Sequence, residues 1–175
     1  ARTLLVTSSN PGEGKSTTAA NLAFAMAFDG KRVILVDTDL RRPSLHKLLG
    51  ETAILGLTDV LLGHASIDEV LRHHADLPSL SVLTSGSTPP NPSELLNSRT
   101  FRTLVDDLSD RADIVIFDSP PALVTADAAI LASQLDGTVF VVEPGQTKKA
   151  AARRAAQLLT QARANILGVA YNKMR

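Results

Sequence analysis

Gly12-Glu13-Gly14-Lys15-Ser16-Thr17 carries the clearest chemistry in this sequence. An apolar run, Leu4, Leu5 and Val6, leads into it through small residues, and a helical pattern begins at Thr18. Glycines let a backbone curl so that its N–H groups point inward at an anion. Lys15 can then reach the β- and γ-phosphates of a nucleotide, and the Ser16 hydroxyl can hold Mg²⁺. Ser9 stands where the usual spacing has its first glycine. Chance can supply Gly-Lys-Ser alone, but its place between an apolar strand and a helix points to a phosphate-binding loop. That loop comprises Asn10, Pro11, Gly12, Glu13, Gly14, Lys15, Ser16 and Thr17. The plainer reading makes Lys15 a solvated surface lysine and leaves the glycines without a task.

Acids supply what such a loop lacks. Asp37 and Asp39 lie just beyond the apolar run 32–36, at the strand end where open α/β sheets place ligands. In an extended backbone, residues two apart point the same way, so both carboxylates can converge. One can orient Mg²⁺ or its water while the other accepts a proton from an incoming hydroxyl; a helix cap or turn is the competing use. Asp118 ends the run Ile114-Val115-Ile116-Phe117, as expected of an acid that holds Mg²⁺ through water. The catalytic candidates are therefore Lys15, Asp37, Asp39 and Asp118, and the metal set is Ser16, Asp37 and Asp118. Asn172 follows the last strand. Its amide can read a purine edge or simply close a C-terminal turn.

Other charged residues are less telling. Arg41 and Arg42 can meet phosphate, an acidic substrate or a partner carboxylate, or stay solvated. Lys148, Lys149, Arg153 and Arg154 read as an ordinary solvent face. His73-His74 has no third ligand in view, and adjacent residues diverge on a helix, so zinc is not expected.

These residues must be positioned by alternating elements. Strands are expected at 3–8, 32–36, 80–83, 113–117, 138–142 and 166–171. Helices are expected at 15–28, 44–49, 56–62, 126–133 and 147–162, with Ser66 and Glu69 forming a capping box for another. The 15–28 helix reads as covered on more than one side, with Met26 and its phenylalanines in the core, and Asp29-Gly30 as its stop. Asn91-Pro92-Ser93-Glu94 is a strong helix start, opening one helix or two over 92–109. Strand runs without polar alternation between helices give an α/β fold: a mostly parallel sheet with helices on both faces.

The chain's 175 residues fit one domain. Eighteen basic residues balance eighteen acidic ones, so no bulk field argues for nucleic acid. With no cysteine, disulfides and thiolate metal sites are excluded. No apolar run is long enough to cross a bilayer. Because a core strand opens almost at residue 1, the chain is expected to be a fragment of a longer protein.

The sequence resembles the cytoplasmic catalytic domain of bacterial protein-tyrosine kinases of capsule and exopolysaccharide synthesis, within the MinD/ParA-like P-loop ATPases. The segments that carry the resemblance are TSSNPGEGKST (7–17), VILVDTDLRRP (33–43), SGSTPPNPSELL (85–96), DIVIFDSPPALVTADAAILA (113–132), DGTVFVVEPGQT (136–147) and GVAYNK (168–173). Relatives that position cell-division systems usually carry a lysine early in the loop; Ser8-Ser9-Asn10-Pro11 has none, which favours the kinase branch. The resemblance implies ATP and Mg²⁺ as cofactors and a tyrosine-containing protein as substrate. It also implies a location at the inner face of the membrane, through a membrane-anchored activator or a fused membrane domain, and a homo-oligomeric ring in the full-length protein. Residue by residue, it gives Lys15 and Ser16 to phosphate and Mg²⁺, and Asp118 to metal support. Asp37 becomes the better candidate for activating a tyrosine hydroxyl, and Asn172 is placed near adenine. The family's tyrosine-rich tail has no counterpart in these residues, where Tyr171 is the only tyrosine. An ATPase switch controlling partner association and a regulatory nucleotide-binding domain with negligible turnover use nearly the same residues.

Overall fold

The computed structural model describes residues 1–52 and 54–173. In chain order its elements are β1 (Thr3–Ser8), α1 (Lys15–Phe28), β2 (Val33–Asp37), α2 (Leu45–Leu49), α3 (Leu57–Leu61), α4 (Ile67–Val70), β3 (Arg72–His74), β4 (Leu77–Leu83), α5 (Pro92–Leu96), α6 (Arg99–Arg111), β5 (Ile114–Asp118), α7 (Asp127–Ala132), β6 (Gly137–Val142), α8 (Lys149–Gln161) and β7 (Ile166–Tyr171). The strands make one sheet in the order β3-β4-β2-β5-β1-β6-β7, parallel throughout except for the β3–β4 pair.

β1, β2 and β5 are buried at every position. Their continuous apolar runs have that pattern because helices cover both faces. On one face Leu4, Val6, Leu35 and Ile116 pack against the α1 alanines and Leu45 of α2. On the other, Leu5, Val36, Val115 and Phe117 meet α3 to α8, with Phe101 edge-on to Phe117 at 6.2 Å. These three strands are neighbours, β2 and β1 flanking β5. Their carboxyl ends therefore open on one rim.

The mostly parallel α/β reading holds, and several details change. α1 is covered on one side only. Ala19, Ala20, Ala23 and Ala27 form its buried stripe, Thr17, Asn21, Ala25 and Phe28 face solvent, and Phe28 is 75% exposed rather than in the core. Small alanines let the helix approach the sheet closely, so few other side chains are enclosed. Residues 92–109 form two helices. Ser98 separates them and caps α6, its hydroxyl accepting from the Phe101 N–H at 3.1 Å.

β3 is an addition to the expected strands, since Arg72-His73-His74 is polar. It pairs through the Ala75–Asp76 turn with β4, which begins at Leu77 rather than 80. The two histidines thus sit on a strand, not a helix, and diverge by strand alternation. His73 bonds the Ser81 hydroxyl at 3.0 Å, and His74 stands edge-on to Phe24. A short polar strand also blunts the sheet edge against further pairing.

Candidate functional site

The loop from Ser9 to Gly14 turns β1 into α1. Gly12 and Gly14 sit at φ 81° and 84°, where an L side chain is strained. Gly14 has a second constraint: a Cβ there would lie 1.7 Å from the Asn172 amide nitrogen. Asn172 donates that amide to the Glu13 carbonyl at 3.2 Å, so the residue after β7 rests directly on the loop. Asn10 gives its N–H to the Glu13 carboxylate, Pro11 and Thr17 are exposed, and Ser16 lies in the first turn of α1.

Lys15 leans across the rim. Its ammonium is 3.8 Å from Asp118 Oδ1, 3.9 Å from Asp39 Oδ2 and 3.2 Å from the Ser16 hydroxyl. Asp37 and Asp118 are partners in the β2–β5 register, which forces two acids side by side. The Thr38 N–H and hydroxyl both donate to the Asp118 carbonyl, tying the turn after β2 to β5.

The three acids have different surroundings. Asp37 is fully buried. It accepts from the Asp39 N–H on one oxygen and from the Ser44 and Leu45 N–H groups on the other. Asp39 accepts from the Arg42 N–H at 3.0 Å and lines an open cleft with Lys15. Asp118 is fully buried, and neither carboxylate oxygen has a hydrogen-bond partner among the described residues. Burial pushes the Asp37 carboxyl up to about 7, helped by the Asp118 charge and opposed by the Leu45 and Asp39 N–H groups. Burial likewise lifts Asp118 to about 6, against the pull of the Lys15 ammonium and the nearby Ser16 hydroxyl. Both shifts reflect negative charge packed out of water.

Those orphaned oxygens test the fit of a metal. Buried polar atoms without partners are expensive, and a divalent cation satisfies two carboxylate oxygens at once. The donors here, Asp118, Asp37 and the Ser16 hydroxyl, are hard oxygens that suit Mg²⁺. Among the described residues no group of three or more His, Cys, Asp or Glu side chains could cage a metal alone. Mg²⁺ commonly has one or two protein carboxylates with the rest from phosphate and water. The residues fit a cation that arrives with its nucleotide.

A cleft of about 420 Å³ opens beside Lys15 and Asp39, walled by Pro11, Pro120, Pro121 and Val124, with Arg41 and Arg42 at its rim. Arg41 is held in place: its Nε donates to Asp127 at 2.8 Å and its Nη2 to Ser93 at 3.0 Å, while Ser93 also donates to the buried Asp127. Asp127 is a site residue that sequence reasoning does not single out, and for Arg41 it leaves the role open. The one signal for them is that Arg41, Ser93 and Asp127 each lie within a segment that carries the family resemblance, 33–43, 85–96 and 113–132. The ion pair joins LRRP to TADAA across 86 residues of sequence, with NPSELL attached through Ser93.

A family model described as ParA, NUBPL iron-transfer P-loop NTPase, matches residues 1–175. The tyrosine-protein kinase YwqD of Bacillus subtilis is 43% identical over 98% of this chain and 72% of its own length. The VpsO kinase domain superposes with a TM-score of 0.94 at 33% identity, over 99% of this chain and 85% of that one. MinD of Aquifex aeolicus shares the fold at a TM-score of 0.80 and 27% identity, over the whole chain and 70% of MinD. The phosphate loop, facing lysine and three acids on one rim of a parallel sheet thus lie within a chain matched to these relatives along almost all its length, and the chain belongs to the bacterial tyrosine-protein kinases, a branch of the ParA-like P-loop NTPases.

Proposed function

We propose that this tyrosine kinase binds MgATP along residues 10–17 and transfers the γ-phosphoryl group to a tyrosine hydroxyl entering through the cleft beside Lys15. The juxtaposition of the cleft with Lys15 and Asp39 carries this reading. An acceptor there faces the end of the polyphosphate, as in-line displacement requires. The acceptor oxygen forms a bond to γ-phosphorus as the bond to the bridging oxygen breaks, and the leaving group is ADP. The tyrosine proton goes to Asp39, which lines the cleft and has a carboxylate oxygen toward Lys15. Asp37 is the less suitable acceptor because it is fully buried and, unlike Asp39, does not line the cleft.

Ser16, Asp37 and Asp118 would hold Mg²⁺, and Lys15 would offset the charge of the transferred group. When bound, Mg²⁺ neutralises charge on the β- and γ-phosphate oxygens. The amide oxygen of Asn172 and its second N–H are available to a nucleobase, the other N–H being given to the Glu13 carbonyl. The prolines at the cleft wall give an apolar surface for the acceptor ring.

The acceptor tyrosine comes from a partner chain or a C-terminal tail, and the pathway served is capsule or exopolysaccharide synthesis. The family resemblance supports a membrane-anchored activator or fused membrane domain, ring assembly, and a location at the inner membrane face. No described helix is long and apolar enough to cross a membrane, so attachment would run through such a partner or segment.

Incubation with labelled ATP, Mg²⁺ and a tyrosine-rich peptide tests the reading. Phosphotyrosine is expected, and Lys15→Met should abolish it. The likeness to MinD favours a second reading, an ATPase switch. Steady phosphate release with no phosphotyrosine, even with an activator present, would support the switch and overturn the kinase reading.

A further inference from the structure

A carboxylate inside a loop built to cradle phosphates is electrostatically out of place. Glu13 is such a group, only 4% exposed. A buried carboxylate needs donors for both oxygens, and Glu13 has them on two different segments. Oε2 accepts from the Asn10 N–H at 2.9 Å, closing the turn of the phosphate loop across three residues. Oε1 accepts from the Thr147 hydroxyl at 2.7 Å. Thr147 lies just before α8, and its oxygen also accepts from the Glu143 N–H at 2.9 Å. The Glu143 carboxylate then meets the Lys173 ammonium at 3.0 Å, and that ammonium reaches back to the Gly12 carbonyl at 3.3 Å. The contacts leave the phosphate loop at Glu13 and re-enter it at Gly12. Asn10, Gly12, Glu13, Glu143 and Lys173 of this set line a cleft of about 310 Å³ beside the loop.

We propose that Glu13 is a positioning residue for the nucleotide: its carboxylate braces the phosphate loop against residues 143–147, so the loop's N–H donors are aimed before the ligand arrives. The proposal rests on the nucleotide reading above and assigns a task to a side chain whose two oxygens both face protein donors. Its physical basis is preorganisation. A glycine-rich loop loses much conformational freedom on closing around an anion, and a brace formed in advance removes part of that cost from binding. Both carboxylate oxygens are directed at protein donors, which limits repulsion toward a polyphosphate. The same contacts couple the loop to Glu143 and Lys173 at the neighbouring cleft.

Titration of the whole chain with a fluorescent ADP analogue plus Mg²⁺ tests this, alongside thermal melts without nucleotide and the split between kcat and KM for ATP. Glu13→Ala should weaken binding about tenfold and raise KM equally, with kcat within about twofold, because the brace acts on ground and transition states alike. Glu13→Gln should fall between. Thr147→Val, which breaks the bridge from its far end on a surface segment, should reproduce most of the loss, and Thr147→Ser should restore it. The double variant Glu13→Ala/Thr147→Val should be no worse than Glu13→Ala. Tighter or unchanged binding in Glu13→Ala or Glu13→Gln, or fully additive losses in the double variant, would overturn the proposal. A lowered melting temperature with unchanged affinity would do the same, showing a structural role only. Lys15→Met is the control: if it too leaves binding intact, the nucleotide site itself is wrong; if it alone destroys binding, only the brace is refuted.

Discussion

Replacing Asp118 with asparagine should make the nucleotide-free protein more stable while removing its Mg²⁺-dependent activity. The carboxyl is lifted from its ordinary 3.8 to about 6, chiefly by burial and net of the attraction of Lys15. A carboxyl raised by roughly two pH units on folding destabilises the folded state by about 3 kcal/mol when it is charged. The amide is buried without partners among the described residues just as the neutral carboxyl is, so that cost largely cancels and the gain is the electrostatic one, about 3 kcal/mol once the acid is charged. For a domain of this size that is roughly 6–12 °C in melting temperature. A group whose pKa is raised on folding favours the folded state below its unfolded value, and that advantage is lost as pH rises through the folded value. The gain of Asp118→Asn should therefore be near zero at pH 4 and grow as pH rises through about 6, reaching its full size at pH 8. Melts of EDTA-treated protein at pH 4.5 and pH 8 measure it. Addition of MgADP at pH 8 should then stabilise the native protein more than the variant, reversing their order. A variant less stable than the parent at pH 8, or a difference independent of pH, would refute the reasoning.

Two substitutions elsewhere at the rim separate nucleotide binding from acceptor placement. Gly14→Ala must accommodate a φ of 84° and displace the Asn172 amide; nucleotide titration should show at least a hundredfold loss of affinity, well beyond the roughly 1–2 kcal/mol of left-handed strain alone. Asp127→Ala frees Arg41 and Ser93 at once; because Arg41 is partly exposed, its charge can be solvated, so stability should fall by about 2 kcal/mol. Peptide phosphorylation should fall with it while ADP affinity, measured by titration, stays near its parent value.

Much of this site is legible without the fold, for definable reasons. Lys15, Asp37 and Asp118 follow apolar runs without alternation, and such runs read as central parallel strands whose ends share a rim. Asp39 lies two residues beyond Asp37, so placing one brings the other. Strand order is not legible: nothing local to β1, β2 or β5 says that β5 lies between the other two. β3 is hidden because Arg72-His73-His74 has no apolar signal, and its pairing depends on a turn and on Ser81. The exposure of Phe28 is hidden because its side-chain type suggests the core, whereas its position on the alanine helix decides the matter. Glu13, Thr147 and Asp127 are obscured for another reason. Each works through a partner far along the chain, and a single sequence carries no trace of such pairings.

Asp37 and Asp118 also bear on why the nucleotide-free site is arranged as it is. Two buried acids on neighbouring strands repel each other, and one has no hydrogen-bond donor among the described residues. A sequence optimised only for folding would place an apolar or neutral residue at one of these positions. The strain is local, since the strands leading to both acids are fully buried in well-packed apolar layers. Stability gained along Val33–Val36 and Ile114–Phe117 thus offsets an electrostatic cost concentrated at their last residues. Lys15 reduces that cost in the free state, and a cation entering with polyphosphate removes more of it. Nucleotide binding is therefore coupled to the stability of the central strands. The protein should become measurably more resistant to heat and proteolysis on loading with Mg²⁺ and nucleotide, and nucleotide without the metal should give only part of the effect.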